Sequence, residues 1–138
     1  MKDKNKNFKF LEHTGDIKFQ AFGKTIEELF QNCAITMIYS QYKGQIKTKI
    51  TKKIKVNGQD NESLLYNFLE EILFLIDSEC FLTSKAKVKI KGNELTAELT
   101  GDNIKNYKMS FDIKAVTYNE MFVKNNEKEW VAQVVIDV

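Results

Sequence analysis

The sequence predicts an α+β fold, with two helices packed on one or two mostly antiparallel sheets. Three observations carry this. Ile46–Val56 has a period of two, with Ile46, Thr48, Ile50, Lys52, Ile54 and Val56 on one side and Lys47, Lys49, Thr51, Lys53 and Lys55 on the other. Two stretches, beginning near Ile26 and Leu64, repeat apolar residues at helical spacing. Gly92-Asn93 joins two further alternating runs as a two-residue turn, which is the pattern of a hairpin.

Taken in order, Met1–Asn7 reads as a short, flexible and solvated lead-in. Phe8-Lys9-Phe10-Leu11 has the aromatic character of a strand. Ile17, Phe19 and Ala21 then alternate with Lys18, Gln20 and Phe22 as a second strand, ended by Gly23. Thr25 and Glu28 match a capping box, in which a hydroxyl and a carboxylate three residues apart satisfy orphan backbone donors. Ile26, Leu29, Phe30, Cys33 and Met37 place one apolar face on a helix reaching about Ser40.

Asn57-Gly58 punctuates the long strand Ile46–Val56, and Asp60 or Asn61 can cap the next helix. Its stripe of Leu64, Leu65, Phe68, Leu69, Ile72, Leu73 and Ile76 is wide, so this helix should be deeply buried; Asp77–Cys80 should break it. Lys85–Lys91 and Glu94–Thr100 form the hairpin, whose lysine and glutamate rows can pair across the strands. Gly101–Tyr107 reads as a loop and Met109–Tyr118 as a strand, with Asp112 and Lys114 on one side. Asn119 marks a turn, Met121–Val123 starts another strand, Lys124–Glu129 is a charged loop, and Trp130–Ile136 is the last strand.

A chain of 138 residues is one domain's worth, so residues 1–138 are expected to form a single domain. The 43% hydrophobic and 29% charged content is ordinary for a globular protein. No apolar run is long enough to span a bilayer, and no apolar segment follows the charged N-terminus to make a signal peptide. A cytoplasmic protein without membrane contact, monomeric or weakly oligomeric, is the expectation. Cys33 and Cys80 lie inside apolar patterns without a C-x-x-C pair, which favours buried free thiols over a zinc site.

Chemistry-bearing residues concentrate in two places. Glu12-His13-Thr14-Gly15-Asp16 packs the one histidine, two carboxylates and a hydroxyl into the entrance of the second strand. His13 can serve as a base or ligand, but a lone histidine beside a turn is more often a hydrogen-bonded structural residue. At the other end, Asp137 follows an apolar strand that should lie inside a sheet, and Val138 adds a main-chain carboxylate. If the strands bearing Asp16 and Asp137 are neighbours, three acidic groups converge, and a hard cation such as calcium or magnesium would relieve their repulsion. The lysine rows, by contrast, read as the solvent face of half-buried strands, since no aromatic residues interleave with them.

At this point the chain resembles the archease family over nearly its whole length. The resemblance rests on Glu12-His13-Thr14-Gly15-Asp16-Ile17, similar to the family's EHTADI, followed by Gly23-Lys24-Thr25-Ile26-Glu27-Glu28. It continues through Leu64-Leu65-Tyr66-Asn67-Phe68-Leu69-Glu70-Glu71, Ile113-Lys114-Ala115-Val116-Thr117-Tyr118, Trp130-Val131-Ala132-Gln133 and Ile136-Asp137-Val138. Asn119 stands where the family commonly has a histidine, Met109 lies where many members carry another, and Gly15 replaces the usual alanine.

The resemblance implies a non-enzymatic accessory protein that activates an RtcB-type RNA ligase in tRNA splicing, promoting its guanylylation and multiple turnover. It implies indirect involvement with tRNA. It also implies a divalent metal, calcium foremost with magnesium or manganese as alternatives, held by Asp16, Asp137 and Val138. Asp16, Lys114 and Asp137 are the implied ligase-activating residues, with His13 and Glu12 as secondary candidates. Two other classes remain: a stand-alone metal-dependent RNA-processing enzyme, and a general chaperone or nucleic-acid-binding modulator working through the lysine rows.

Overall fold

The computed structural model describes residues 7–138. Met1–Lys6, most of the expected lead-in, lie outside the described residues. The Asn7 carbonyl already accepts the Phe22 N–H at 2.9 Å, extending the first strand pair. The elements are β1 Phe8–Leu11, β2 Ile17–Gly23, α1 Ile26–Gln41, β3 Ile50–Asn57, α2 Asn61–Glu79, β4 Phe81–Lys91, β5 Glu94–Asn103, β6 Ala115–Asn125 and β7 Trp130–Asp137. A short 3-10 turn, Ile104–Asn106, follows β5.

The strands form two sheets, β1-β2-β7-β6 and β3-β5-β4, and every pairing is antiparallel. This is the α+β fold with two helices and mostly antiparallel sheets that the sequence predicts. The helices lie between the sheets. α1 packs on β2 and β4, while α2 packs on β6, β4 and β3. Each helix therefore needs more than one apolar stripe, and α1 buries Leu29, Phe30, Cys33, Ala34, Met37 and Ile38. Phe30 of α1 and Phe68 of α2 stack with ring centroids 6.2 Å apart at the centre of this layer. Burial pushes the Cys33 thiol far above its ordinary pKa, as expected of an inert core thiol. Cys80 is also free but only half-buried.

Several boundaries move for identifiable reasons. The Thr25 hydroxyl accepts the Glu28 N–H at 3.1 Å, but the Glu28 carboxylate turns to the Lys24 N–H, so the capping box closes one residue early. At α2 the reciprocal box is made by Asp60 and Ser63. Asp77–Glu79 stay helical because Cys80, at φ 56°, provides a left-handed cap whose N–H bonds back to Ile76 and Leu75. The long strand starts at Ile50 rather than Ile46, since the backbone before it is satisfied elsewhere: the Lys47 N–H donates to the Tyr107 hydroxyl and the Ile46 carbonyl accepts from the Ser84 hydroxyl. Met109–Lys114 is not a strand. Asn119 does not end one either, because β6 runs through it with a register shift between Thr117 and Phe122.

The helices also close the sheet edges. Glu70 and Glu62 of α2 accept the Val116 and Val123 N–H groups of edge strand β6, and Gln31 of α1 accepts the Val88 N–H of edge strand β4. In the second sheet Gly101 lies near the end of the central strand β5, paired to both neighbours. A Cβ there would sit 1.9 Å from the Leu82 carbonyl oxygen, so the close approach at the β4 bulge requires glycine.

Candidate functional site

β2 and β7 are hydrogen-bonded neighbours, with Ile17 opposite Ile136. Asp16 and Asp137 each lie one residue beyond that pair. By strand alternation both belong to the outer face of the first sheet, the side opposite the buried Phe19 and Val134. The adjacency on which the acidic corner depends is therefore present in the topology. Lys114 joins the same end through its backbone, its N–H donating to the Asp137 carbonyl at 2.8 Å. Its side chain is exposed and makes no ion pair with either aspartate. Lys114 therefore does not neutralise the two carboxylates.

Val138 is half-buried and packs against the core. Glu12 is exposed and enters no ion pair with a described residue. Among the described residues no three His, Cys, Asp or Glu side chains gather into a metal cage. The three candidate ligands, Asp16, Asp137 and the Val138 main chain, all offer oxygen. That chemistry fits a hard divalent cation better than a zinc-type ion.

His13 is part of a network that local sequence does not suggest. Its Nε2 lies 3.1 Å from Glu120 Oε2 and its Nδ1 lies 3.8 Å from Asp16 Oδ2, and Lys18 Nζ donates to Glu120 Oε1 at 2.8 Å. Lys18 foremost, then His13, holds the Glu120 carboxyl below the usual glutamate range. Glu120 occupies the bulge of β6 at φ 53°. The bulge is pinned across three strands, since Gln20 Nε2 donates to Gln133 Oε1 and Gln133 Nε2 donates to the Glu120 carbonyl. His13 thus braces the turn presenting Asp16. Gly15 has φ +77°, a conformation that other residues adopt only with strain, so glycine suits this turn.

Glu120 and Lys18 were not among the residues singled out from sequence. Lys18 looked like an ordinary solvent-side strand residue, and 107 residues separate Glu120 from His13, so no local signal linked them. A second long-range contact joins two of the quoted motifs. Tyr66 of α2 and Tyr118 of β6 stack at 4.2 Å between centroids with 9° between planes.

The described residues contain no helix long and apolar enough to cross a membrane. Residues 8–138 match the model of the Archease protein family (MTH1598/TM1083). The chain is 34% identical over 140 residues to an archease of Pyrobaculum calidifontis, covering 96% of this chain and 95% of that protein. It is 35% identical over 147 residues to an archease of Methanosarcina barkeri, covering 100% of both. In structure it is similar to protein 1598 of Methanobacterium thermoautotrophicum, with TM-score 0.82, 29% identity and coverage of 96% and 99%. The fold also resembles that of a Thermotoga maritima archease described as a possible chaperone, with TM-score 0.67, 22% identity and coverage of 93% and 94%.

Proposed function

The chain belongs to the archease family, and from that premise we propose that it is an accessory protein activating an RtcB-type RNA ligase in tRNA splicing, in the cytoplasm and without catalysing the ligation itself. The observation that carries the reading is the pairing of β2 with β7, which seats Asp16 beside Asp137 on one sheet end with Lys114 tethered to the Asp137 backbone. Asp137 is held by the β7 ladder and Asp16 by the braced turn leading into β2, so both meet a partner already oriented.

In this reading Asp16, Asp137 and the Val138 main chain hold a divalent cation, calcium by family resemblance. A bound divalent cation would supply positive charge that offsets the two carboxylates on the face offered to the ligase. His13 and Glu120 hold the Asp16 turn in place from β6. The exposed Lys114 ammonium, which has no ion-pair partner among the described residues, would meet a phosphate or an acidic group of the ligase.

The test is guanylylation and multiple turnover of an RtcB-type ligase, with and without this protein. Asp16→Ala, Lys114→Ala and Asp137→Ala are each expected to lower stimulation at least about tenfold, the size of one lost charge-assisted contact, while their melting temperatures match wild type. Folded variants that all stimulate as wild type does would sink the proposal. Ligation by the isolated protein would favour the enzyme reading instead. Removing Val138, or extending the chain beyond it, asks whether its main chain takes part.

A further inference from the structure

The outer face of the second sheet carries charge that the acidic corner does not use. Register sets its side chains in rows across three strands. Thr51, Thr100 and Lys85 form one, Lys53, Glu98 and Lys87 the next, then Lys55, Thr96 and Lys89, and finally Asn57, Glu94 and Lys91. All six lysines are exposed. Lys53 and Lys55 on one side and Lys87 and Lys89 on the other wall a groove of about 530 Å³ over Thr96 and Glu98.

Two features separate this face from an ordinary solvated one. Six lysines and two glutamates leave it four positive charges in excess, whereas the whole chain stands at +2, so the rest of the molecule is acidic on balance. The cross-strand pairing that would quench the lysines is also almost absent. Among the described residues, only Lys55 of the six forms an ion pair, with Glu94 at 2.9 Å, and Glu98 pairs with neither Lys53 nor Lys87 beside it. Parallel, unpaired ammonium groups repel one another, and a bound polyanion relieves that repulsion.

We propose that this groove binds the phosphodiester backbone of a single-stranded polynucleotide lying along β5. Lysines two residues apart on a strand are spaced by about 6.6–6.8 Å, which matches successive phosphates of an extended strand. The two lysine rows stand two strand spacings apart, about 9.6 Å, wide enough for one strand and too narrow for a double helix. Thr96 supplies a neutral donor to phosphate between them. No aromatic side chain lines the groove, so bases have nothing to stack on and recognition is independent of sequence. A protein segment would need a large apolar pocket at the centre of its interface, whereas between the lysines this groove has Thr96 and Glu98, with the half-buried Ile54 and the small, buried Ala97 as its apolar lining. The proposal uses a different sheet from the ligase reading and stands without it.

The test is fluorescence anisotropy of the full chain with a labelled oligouridylate of about 12 nucleotides, within the range of known single-strand sites. Four neutralised phosphates predict that affinity falls about 50-fold between roughly 50 and 200 mM salt. The triple variant Lys53→Glu, Lys87→Glu, Lys89→Glu should weaken binding at least about tenfold. An off-face variant of equal charge change, Lys24→Glu, Lys124→Glu, Lys128→Glu, should stay within about twofold if position rather than net charge decides. Glu98→Gln, which removes the groove's negative charge, should tighten binding about two- to threefold. Absence of binding at low salt, equal loss in the off-face variant, or tighter binding of a duplex overturns the proposal. Tighter binding of an equally charged oligoglutamate also overturns it, in favour of an acidic protein.

Discussion

The outer faces of the two sheets come from the same strand alternation and end in opposite states. On the first sheet a set of polar groups is partnered: Gln20 bonds Gln133, Gln133 bonds the β6 bulge, and Lys18 and His13 converge on Glu120. On the second, five of six lysines have no ion-pair partner among the described residues. Alternation alone decides which residues face water. Register and bulges decide whether they find one another there. The first face carries a polar network assembled from distant parts of the chain, and the second is a field spread along a hairpin and one added strand.

The largest expected effect tests whether the two faces stand or fall together. Phe68→Ala opens a cavity in the helical layer that both sheets pack on, and should destabilise the protein by about 3–5 kcal/mol in urea unfolding. One shared transition, lowered for both faces, is expected. Separate transitions would show that the sheets are independent.

Gly101→Ala should act on the second sheet alone. The added methyl meets the Leu82 carbonyl, so β4 must move from β5, at a cost of at least about 1–3 kcal/mol. Oligouridylate binding should fall with the disturbed lysine rows, while ligase stimulation per folded molecule is retained. Loss of stimulation in the folded variant would mean the two faces are coupled.

The smallest effect is confined to the first sheet. Glu120 has its carboxyl pKa lowered in the folded state by Lys18 and His13, so the unfolded chain takes up a proton first as pH falls. Its contribution is fully present above the ordinary glutamate value of 4.5 and is lost as pH falls through the lower folded value. Thermal melts of wild type and Glu120→Gln across that window should differ in slope, wild type losing stability more steeply. Parallel curves would remove Glu120 from the bracing of the corner.

Much of this was readable locally. The caps at Thr25 and Asp60, the apolar stripes of both helices and the Gly92-Asn93 hairpin depend on contacts within a few residues, which sequence spacing records directly. The candidate ligands Asp16 and Asp137 were readable as carboxylates at strand ends, and the resemblance to the archease family singled them out. Three of the departures share one cause. The strand beginning at Ile46, the strand over Met109–Tyr118 and the turn at Asn119 each depended on where a remote partner satisfies the backbone, and no local pattern encodes a partner such as Tyr107, Ser84 or Gln133.

By itself the sequence determined the two helices and the central hairpin, the exposure of the lysine rows and the acidic character of the two strand ends, because periodicity and capping are short-range physics. Only the tertiary structure decided that β2 lies against β7, that His13 meets Glu120 across the sheet, and that the lysines stand over a groove largely without partners. Strand pairing is a choice among distant segments of similar apolar pattern. That choice is made by how well the two helices fill the space between the sheets.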